Sequence, residues 1–188
     1  ARLARSIGLG ALDGPVDDLP VLFVPDPAAP GRRRVIESAL AGAPAVLGPV
    51  VGWPESGVSF ARATAAARLG RAGLIDWTGL VLADDHLTLL ALHADPSLAA
   101  ALAARGLAPL RAVEPAAARE RLTETLRAWL DRPGQVQAVA AVLDVHPQTV
   151  RYRLRQLREL YGAALEDPEQ RLALSLAVRA AAAHPLSV

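Results

Sequence analysis

The sequence has no cysteine, no methionine, no lysine and no asparagine, and only 4% of its residues are aromatic. Without cysteine there is neither a disulfide scaffold nor a thiolate zinc site. Without methionine the chain has no start residue of its own, so a longer parent protein is expected, with residues upstream of Ala1. All 20 basic residues are arginine, which matches the composition of a GC-rich genome and makes the Ala and Arg content a poor guide to function. No apolar run reaches about 18 residues free of a charge or a Pro/Gly break, which argues against a transmembrane helix. The opening Ala1-Arg2-Leu3-Ala4-Arg5 has no long apolar stretch behind it, so no signal peptide is expected either. With 52% hydrophobic and 21% charged residues the chain is too apolar for disorder. Its 188 residues suffice for one sizeable core, or for a medium and a small one. A soluble, cytoplasmic protein is expected.

Charge is more informative in its distribution than in its sum of +1. Residues 1–116 hold 10 Arg against 11 acids, and residues 117–188 hold 10 Arg against 8. Between Val145 and Leu160 stand Arg151, Arg153, Arg155 and Arg158, with Glu159 as the one acid. A local stripe of this kind points to a polyanionic partner.

Punctuation divides the chain into residues 1–112, with mixed α and β signals, and residues 113–188, with helical signals throughout. In the first part the run between Pro20 and Pro25 reads as a buried strand and Ala45–Val51 as a second strand, with Pro49 marking either an edge position or the strand's end. Arg32–Ala41 and Ser59–Leu69 read as helices, each followed by glycine (Gly42, Gly70). Leu80–Ala83 and Leu87–Leu92, split by Asp84-Asp85-His86, read as a β-hairpin. Asp95 then Pro96 reads as an N-cap and first helical position, with Gly106 closing that helix. The expected fold class is therefore α+β: an α/β sandwich-like domain followed by an all-α domain.

In the second part Pro115 opens a helix to Leu130, with Leu122, Leu126 and Trp129/Leu130 on one face. Val136, Val139, Ala140 and Leu143 form the stripe of a short helix. Asp144-Val145-His146 is a tight connection, and Pro147 starts a helix with Val150, Leu154 and Leu157 on its apolar side. Asp167 caps a last helix carrying Leu172, Leu176 and Val178, expected to fray before His184-Pro185.

Two short helices joined by about three residues, the second amphipathic and basic, form a helix-turn-helix. Ala140 is small where the helices cross, Val145 fills the turn, and Asp144 tolerates the left-handed conformation that a reversal needs. Burying Val150, Leu154 and Leu157 leaves Gln148, Thr149, Arg151, Tyr152 and Arg155 outward or sideways. Gln suits an adenine edge and the Thr methyl a thymine methyl. Arg and the Tyr hydroxyl suit phosphates, as do free amides at a helix N-terminus. An arginine-rich solvated face on a helical bundle is the alternative that periodicity leaves open.

The stretch from Leu107 to Arg179 resembles the C-terminal region of the PucR/CdaR family of bacterial transcription regulators. It does so through LAPL at 107–110, LTETLRAWLD at 122–131, AVAAVLDVHPQTVRYRLRQLRELYG at 138–162 and LEDPEQRLALSLAVR at 165–179. The family commonly has Asn where Gln148 stands and Thr where Val139 stands, which bears on base preference. The resemblance implies a Fis-like helix-turn-helix with residues 147–160 as recognition helix in the major groove of double-stranded DNA. It places His146, Gln148 and Thr149 at its groove-facing start and Arg151, Tyr152 and Arg153 on backbone or base edges. Residues 1–112 resemble, more weakly, the degenerate GGDEF-like domain that precedes this motif in such regulators. LADDHLTLL lacks the Gly pair and the Glu-Phe of a cyclase signature, so no catalysis is expected.

Other motifs carry less. Asp84, Asp85, His86 and His93 have the right types for a metal but no ligand spacing. Arg32-Arg33-Arg34 reads as an exposed helix start, Gly8-Leu9-Gly10 lacks the setting of a dinucleotide loop, and Ser56 and Ser59 lack that of a hydrolase serine. Trp53, Trp77 and Trp129 read as core or domain-contact residues. The resulting expectation is a non-enzymatic, homodimeric transcription regulator without cofactor or metal, taking an effector signal through an upstream domain. The alternative is a nucleotide- or effector-binding signalling module with a helical docking domain.

Overall fold

A computed structural model describes residues 2–8, 10–16 and 19–182. The chain divides into two compact units, residues 1–91 and 92–188.

The first unit contains α1 (Arg2–Ile7), β1 (Leu12–Val16), β2 (Leu19–Phe23), α2 (Arg32–Leu40), β3 (Ala45–Leu47), α3 (Ser56–Arg71), β4 (Leu80–Leu82) and the start of α4 (Leu87–Leu92). β1 and β2 form an antiparallel ribbon, with Leu12 opposite Phe23 and Pro15 opposite Pro20. β3 and β4 run parallel, Val46 opposite Val81, joined through α3 as a βαβ crossover. Ala66, Leu69, Ile75 and Ala83 form the core beneath this pair, with Val46, Val81, Leu89 and Leu90 against it. Gly70 is required by close approach: a Cβ there would lie 2.7 Å from the Trp77 ring, which also receives the Arg71 guanidinium at 5.9 Å.

Three expectations change here. LTLLAL at 87–92 is helix α4, not a hairpin strand. Leu82 is extended, but a 3-10 turn over Ala83–His86 leads straight into Leu87 at φ −52°, ψ −38°, so a helix and not a second strand follows β4. A short apolar run fits a strand and a packed helix equally well. The segment between Pro20 and Pro25 is a strand, but half-exposed on a two-stranded ribbon, not buried. Trp53 is also not core: it is 71% exposed and meets the ring of Phe23 at 5.8 Å.

The second unit is helical: α5 (Pro96–Gly106), α6 (Ala108–Arg111), α7 (Ala116–Asp131), α8 (Val136–Leu143), α9 (Pro147–Tyr161) and α10 (Pro168–Ala181). It starts ahead of the expected boundary at 112/113, because α5 packs on α10 and α6 on α7 and α9. The Asp95 side chain accepts from the amides of Ser97 and Leu98 at 2.8 and 3.1 Å, which stops α5 cleanly at its N-terminus. At its other end Gly106 is needed for close approach, since a Cβ there would lie 2.4 Å from that of Ala177.

Leu107, Leu110, Leu122, Leu126, Trp129, Val139, Ala140, Val150, Leu154, Leu157, Leu165, Leu174 and Val178 close into one core. The expected stripes of α7, α8 and α9 are all in it. α10 is rotated from expectation: it buries Leu174, Ala177, Val178 and Ala180, and leaves Leu172 61% exposed. Small residues on that side admit α5, where Ala99 and Ala103 meet Ala180. Asp167 caps α10 through the Gln170 amide at 2.8 Å. The expected fraying before His184-Pro185 lies outside the described residues. No single helix among the described residues is long and apolar enough to cross a membrane.

Candidate nucleic-acid interface

The geometry of the motif is set at its turn. Val136 to Leu143 presents Val139 and Ala140 to the core, both buried. The chain then reverses at Asp144, held at φ 52°, ψ 47°, with the Val145 amide donating to the Ala140 carbonyl at 3.0 Å. A short polar side chain is among the few that occupy this left-handed region readily. Val145 packs on the core, as its place in the turn requires.

His146 is extended and caps α9: its Nδ1 accepts from the Gln148 amide at 3.2 Å, and its carbonyl accepts from the Thr149 amide at 2.9 Å. One first-turn amide expected to face an anion is therefore engaged by the imidazole. Pro147 sits at the first helical position, where its missing N–H costs nothing.

Along α9, Val150, Leu154 and Leu157 are buried and fix the rotation of the helix. The opposite face displays Gln148, Arg151, Tyr152 and Arg155, all exposed. Arg151 reaches the Gln148 amide oxygen at 3.4 Å, which aligns the two on one side of the first turns. Tyr152 is 57% exposed although it is aromatic. Arg158, nearer the end of the helix, pairs with Glu166 at 3.5 Å.

Two members of the expected set stand apart. Thr149 and Arg153 are half-buried on the flank of α9. The Arg153 Nη1 donates to the hydroxyl of Thr125 on α7 at 3.2 Å. The expected residues thus form an outward set (Gln148, Arg151, Tyr152, Arg155), a cap (His146) and a flank (Thr149, Arg153).

Two supporting residues escape sequence reading. Thr125 is fully buried on the face of α7 that carries Leu122, Leu126 and Trp129, and its place three residues after Leu122 is the one signal for it. Tyr161, at the end of α9, donates its hydroxyl to the Gly106 carbonyl at 3.0 Å, and burial pushes its phenol pKa up. Elsewhere, Asp84 is held by Arg62 at 3.1 Å, and no three His, Cys, Asp or Glu side chains converge as a metal site among the described residues.

An uncharacterized protein of Mycobacterium tuberculosis and one of Mycobacterium bovis are each 37% identical to this chain over 136 residues, 71% of it. That alignment covers 30% of either relative, so the chain spans under a third of their length. The purine catabolism regulatory protein of Bacillus subtilis is 42% identical over 60 residues, 32% of this chain and 11% of its own. Residues 122–180, which take in most of α7 and α10 and all of α8 and α9, match the PucR C-terminal helix-turn-helix domain.

Proposed function

We propose that this chain is part of a non-enzymatic transcription regulator of the PucR/CdaR type, and that α9 enters the major groove of double-stranded DNA. The single observation that carries it is the outward face of α9, where Gln148, Arg151, Tyr152 and Arg155 are exposed together while the aliphatic side is locked into the core. Arg151 and Arg155 neutralise phosphates, Tyr152 donates to a phosphate oxygen, and Gln148 reads a base edge from the first turn. His146 and Thr149 border this face at the groove-entering end.

A single motif of this size reaches specific affinity by pairing, so the chain acts as a homodimer on two half-sites. The remaining features follow the regulator reading: a cytoplasmic protein, no cofactor, and an effector sensed by an upstream domain. The relative named as a purine catabolism regulatory protein supports the regulatory role. The finer assignment of the first unit, now residues 1–91 in place of the expected 1–112, to a degenerate GGDEF-like domain draws support from the β3–α3–β4 crossover alone, since the hairpin expected at LADDHLTLL is helical; a dimerising role for it belongs to the same reading.

The test is a mobility-shift titration at two salt concentrations with a duplex selected from a random pool. The combined Arg151→Ala and Arg155→Ala variant binds more weakly, and its log-affinity falls less steeply with log-salt, by about 0.9 for each phosphate no longer neutralised. Unchanged affinity and slope would remove α9 from the DNA interface.

A further inference from the structure

Arg153 lies mid-helix in a basic stripe, yet it does not share the stripe's outward face. At 3.6 residues per turn it falls on the same flank as Thr149, next to the buried row of Val150, Leu154 and Leu157. Its Nη1 donates to the Thr125 hydroxyl at 3.2 Å. That hydroxyl donates onward to the Arg121 carbonyl, one turn back on α7, at 2.8 Å. Thr125 is 0% exposed.

A threonine hydroxyl has one proton and two lone pairs. Here the proton goes to its own helix, and a lone pair is left facing α9. A helix-internal hydroxyl in an aliphatic core adds nothing to packing, and burying it without partners costs stability. With the charged donor of Arg153 in place it becomes a directional bond between the two helices. Aliphatic contacts set how far apart α7 and α9 lie but slide and roll easily. A charge-assisted hydrogen bond fixes rotation and register as well.

On the DNA-binding reading above, we infer that Arg153 is a positioning residue: the relay from Arg153 through Thr125 to the Arg121 carbonyl sets the attitude of α9 on α7. Arg153 does not neutralise a phosphate. Its guanidinium faces α7, while Arg151 and Arg155 supply the charge that meets the duplex. Gln148 reaches a base edge only when α9 is held to within about 0.5 Å, so breaking the relay weakens binding although every DNA-facing side chain is still present.

The experiment titrates the whole chain against a fluorescent duplex selected from a random pool by the wild-type protein, across a salt series, with melting temperature measured alongside. The variants are Thr125→Val, Arg153→Met, the two combined, Thr125→Ser and Arg151→Ala. Thr125→Val and Arg153→Met each weaken binding by roughly tenfold, as expected for a hydrogen bond with a charged partner. The combined variant is no weaker than either alone, because both cut the same relay. The salt slope of all three stays at the wild-type value, and Thr125→Ser restores affinity. Arg151→Ala, by contrast, lowers the slope by about 0.9.

The inference is overturned if Arg153→Met lowers the slope by that amount while Thr125→Val leaves affinity intact, a result that makes Arg153 a phosphate ligand and leaves DNA binding standing. It is equally overturned if the losses are additive and follow a fall in melting temperature. Failure of the wild-type chain to retain any duplex sinks the DNA-binding reading itself, and is told apart from the other outcomes by the first titration.

Discussion

The two units treat apolar surface in opposite ways. Among the described residues, all of the largest fully buried side chains, from Leu107 and Leu110 through Leu126, Val139, Val150 and Leu157 to Leu165, lie in the helical unit. Most of the large hydrophobics left exposed lie in the first unit, among them Leu12 at 60%, Val50 at 61% and Trp53 at 71%. The first unit builds two separate sheets, each two strands wide. The helical unit closes one large core, beside a small alanine cluster between α5 and α10, and leaves a polar, cationic face of α9 outside it. Side-chain burial is the main favourable term in folding, so the helical unit carries the larger share of its own stability. It is also the unit that can hold a recognition surface rigidly.

A truncation in each unit tests this contrast hardest. Leu126→Ala empties a fully buried site and lowers the stability of the helical unit by about 2–5 kcal/mol. Val50→Ala in the first unit changes stability by under about 0.5 kcal/mol, since that side chain is already in solvent. Denaturant melts followed by circular dichroism compare the two, and equal shifts would erase the contrast. The packing of α5 on α10 comes next. Gly106→Ala places a methyl group on that of Ala177 and costs about 1–3 kcal/mol, read as a lower melting midpoint. If the midpoint holds, α5 is only loosely attached to the helical unit.

Smaller effects arise at helix ends. Asp167→Ala removes the cap of α10 at a cost of about 1 kcal/mol in the same melt. At Asp95 the hydrogen bond from the Ser97 hydroxyl, followed by those from the amides of Leu98 and Ser97, holds the carboxyl below its usual value of 3.8. A lowered folded pKa means that the cap contributes fully above that value and is lost as pH falls below it through the folded pKa. Asp95→Ala should therefore cost stability at neutral pH and little in strong acid, with the two curves converging as pH drops. Parallel curves over the whole range would show that the carboxylate is not what stabilises the cap.

The helical unit is also the more legible one. Aliphatic residues three and four apart mark α7, α8 and α9 directly, and proline at the first helical position marks the start of α9. Asp144 in the turn occupies the left-handed conformation its residue type suggests. These are local signals, and the fold obeys them because each helix buries the stripe its own sequence supplies. α10 departs from its local signal: Leu172 and Leu176 look like the stripe, whereas the close approach of α5 selects Ala177 and Ala180 instead. That choice depends on a helix distant in sequence and is not written locally. β1 is hidden for a similar reason: Gly14 and Pro15 are poor strand residues, tolerated here because they sit in a two-stranded ribbon, with Pro15 opposite another proline. LTLLAL misleads because nothing in so short and mostly apolar a run separates strand from helix.

The outward face of α9 is largely legible: Gln148, Arg151, Tyr152 and Arg155 are exposed as their spacing suggests, while Thr149 is half-buried on the flank. The partner of Arg153 is not legible, since a lone Thr125 twenty-eight residues earlier gives no sign of which arginine it will meet. Charge composition finds the stripe, and only the packing of two helices separates its outward members, Arg151 and Arg155, from Arg153, which turns to α7.

The absence of cysteine makes the proposed seating of α9 in a DNA groove measurable. Gln148→Cys introduces one thiol at the start of the exposed face of α9, and Leu172→Cys introduces one at another exposed position, on α10. Each is offered a selected duplex carrying a thiol tethered to a base in the major groove. A disulfide cross-link is expected from the Gln148→Cys protein and none from the Leu172→Cys protein. Cross-linking from position 172 with none from position 148 would mean that α9 is not the helix that enters the duplex.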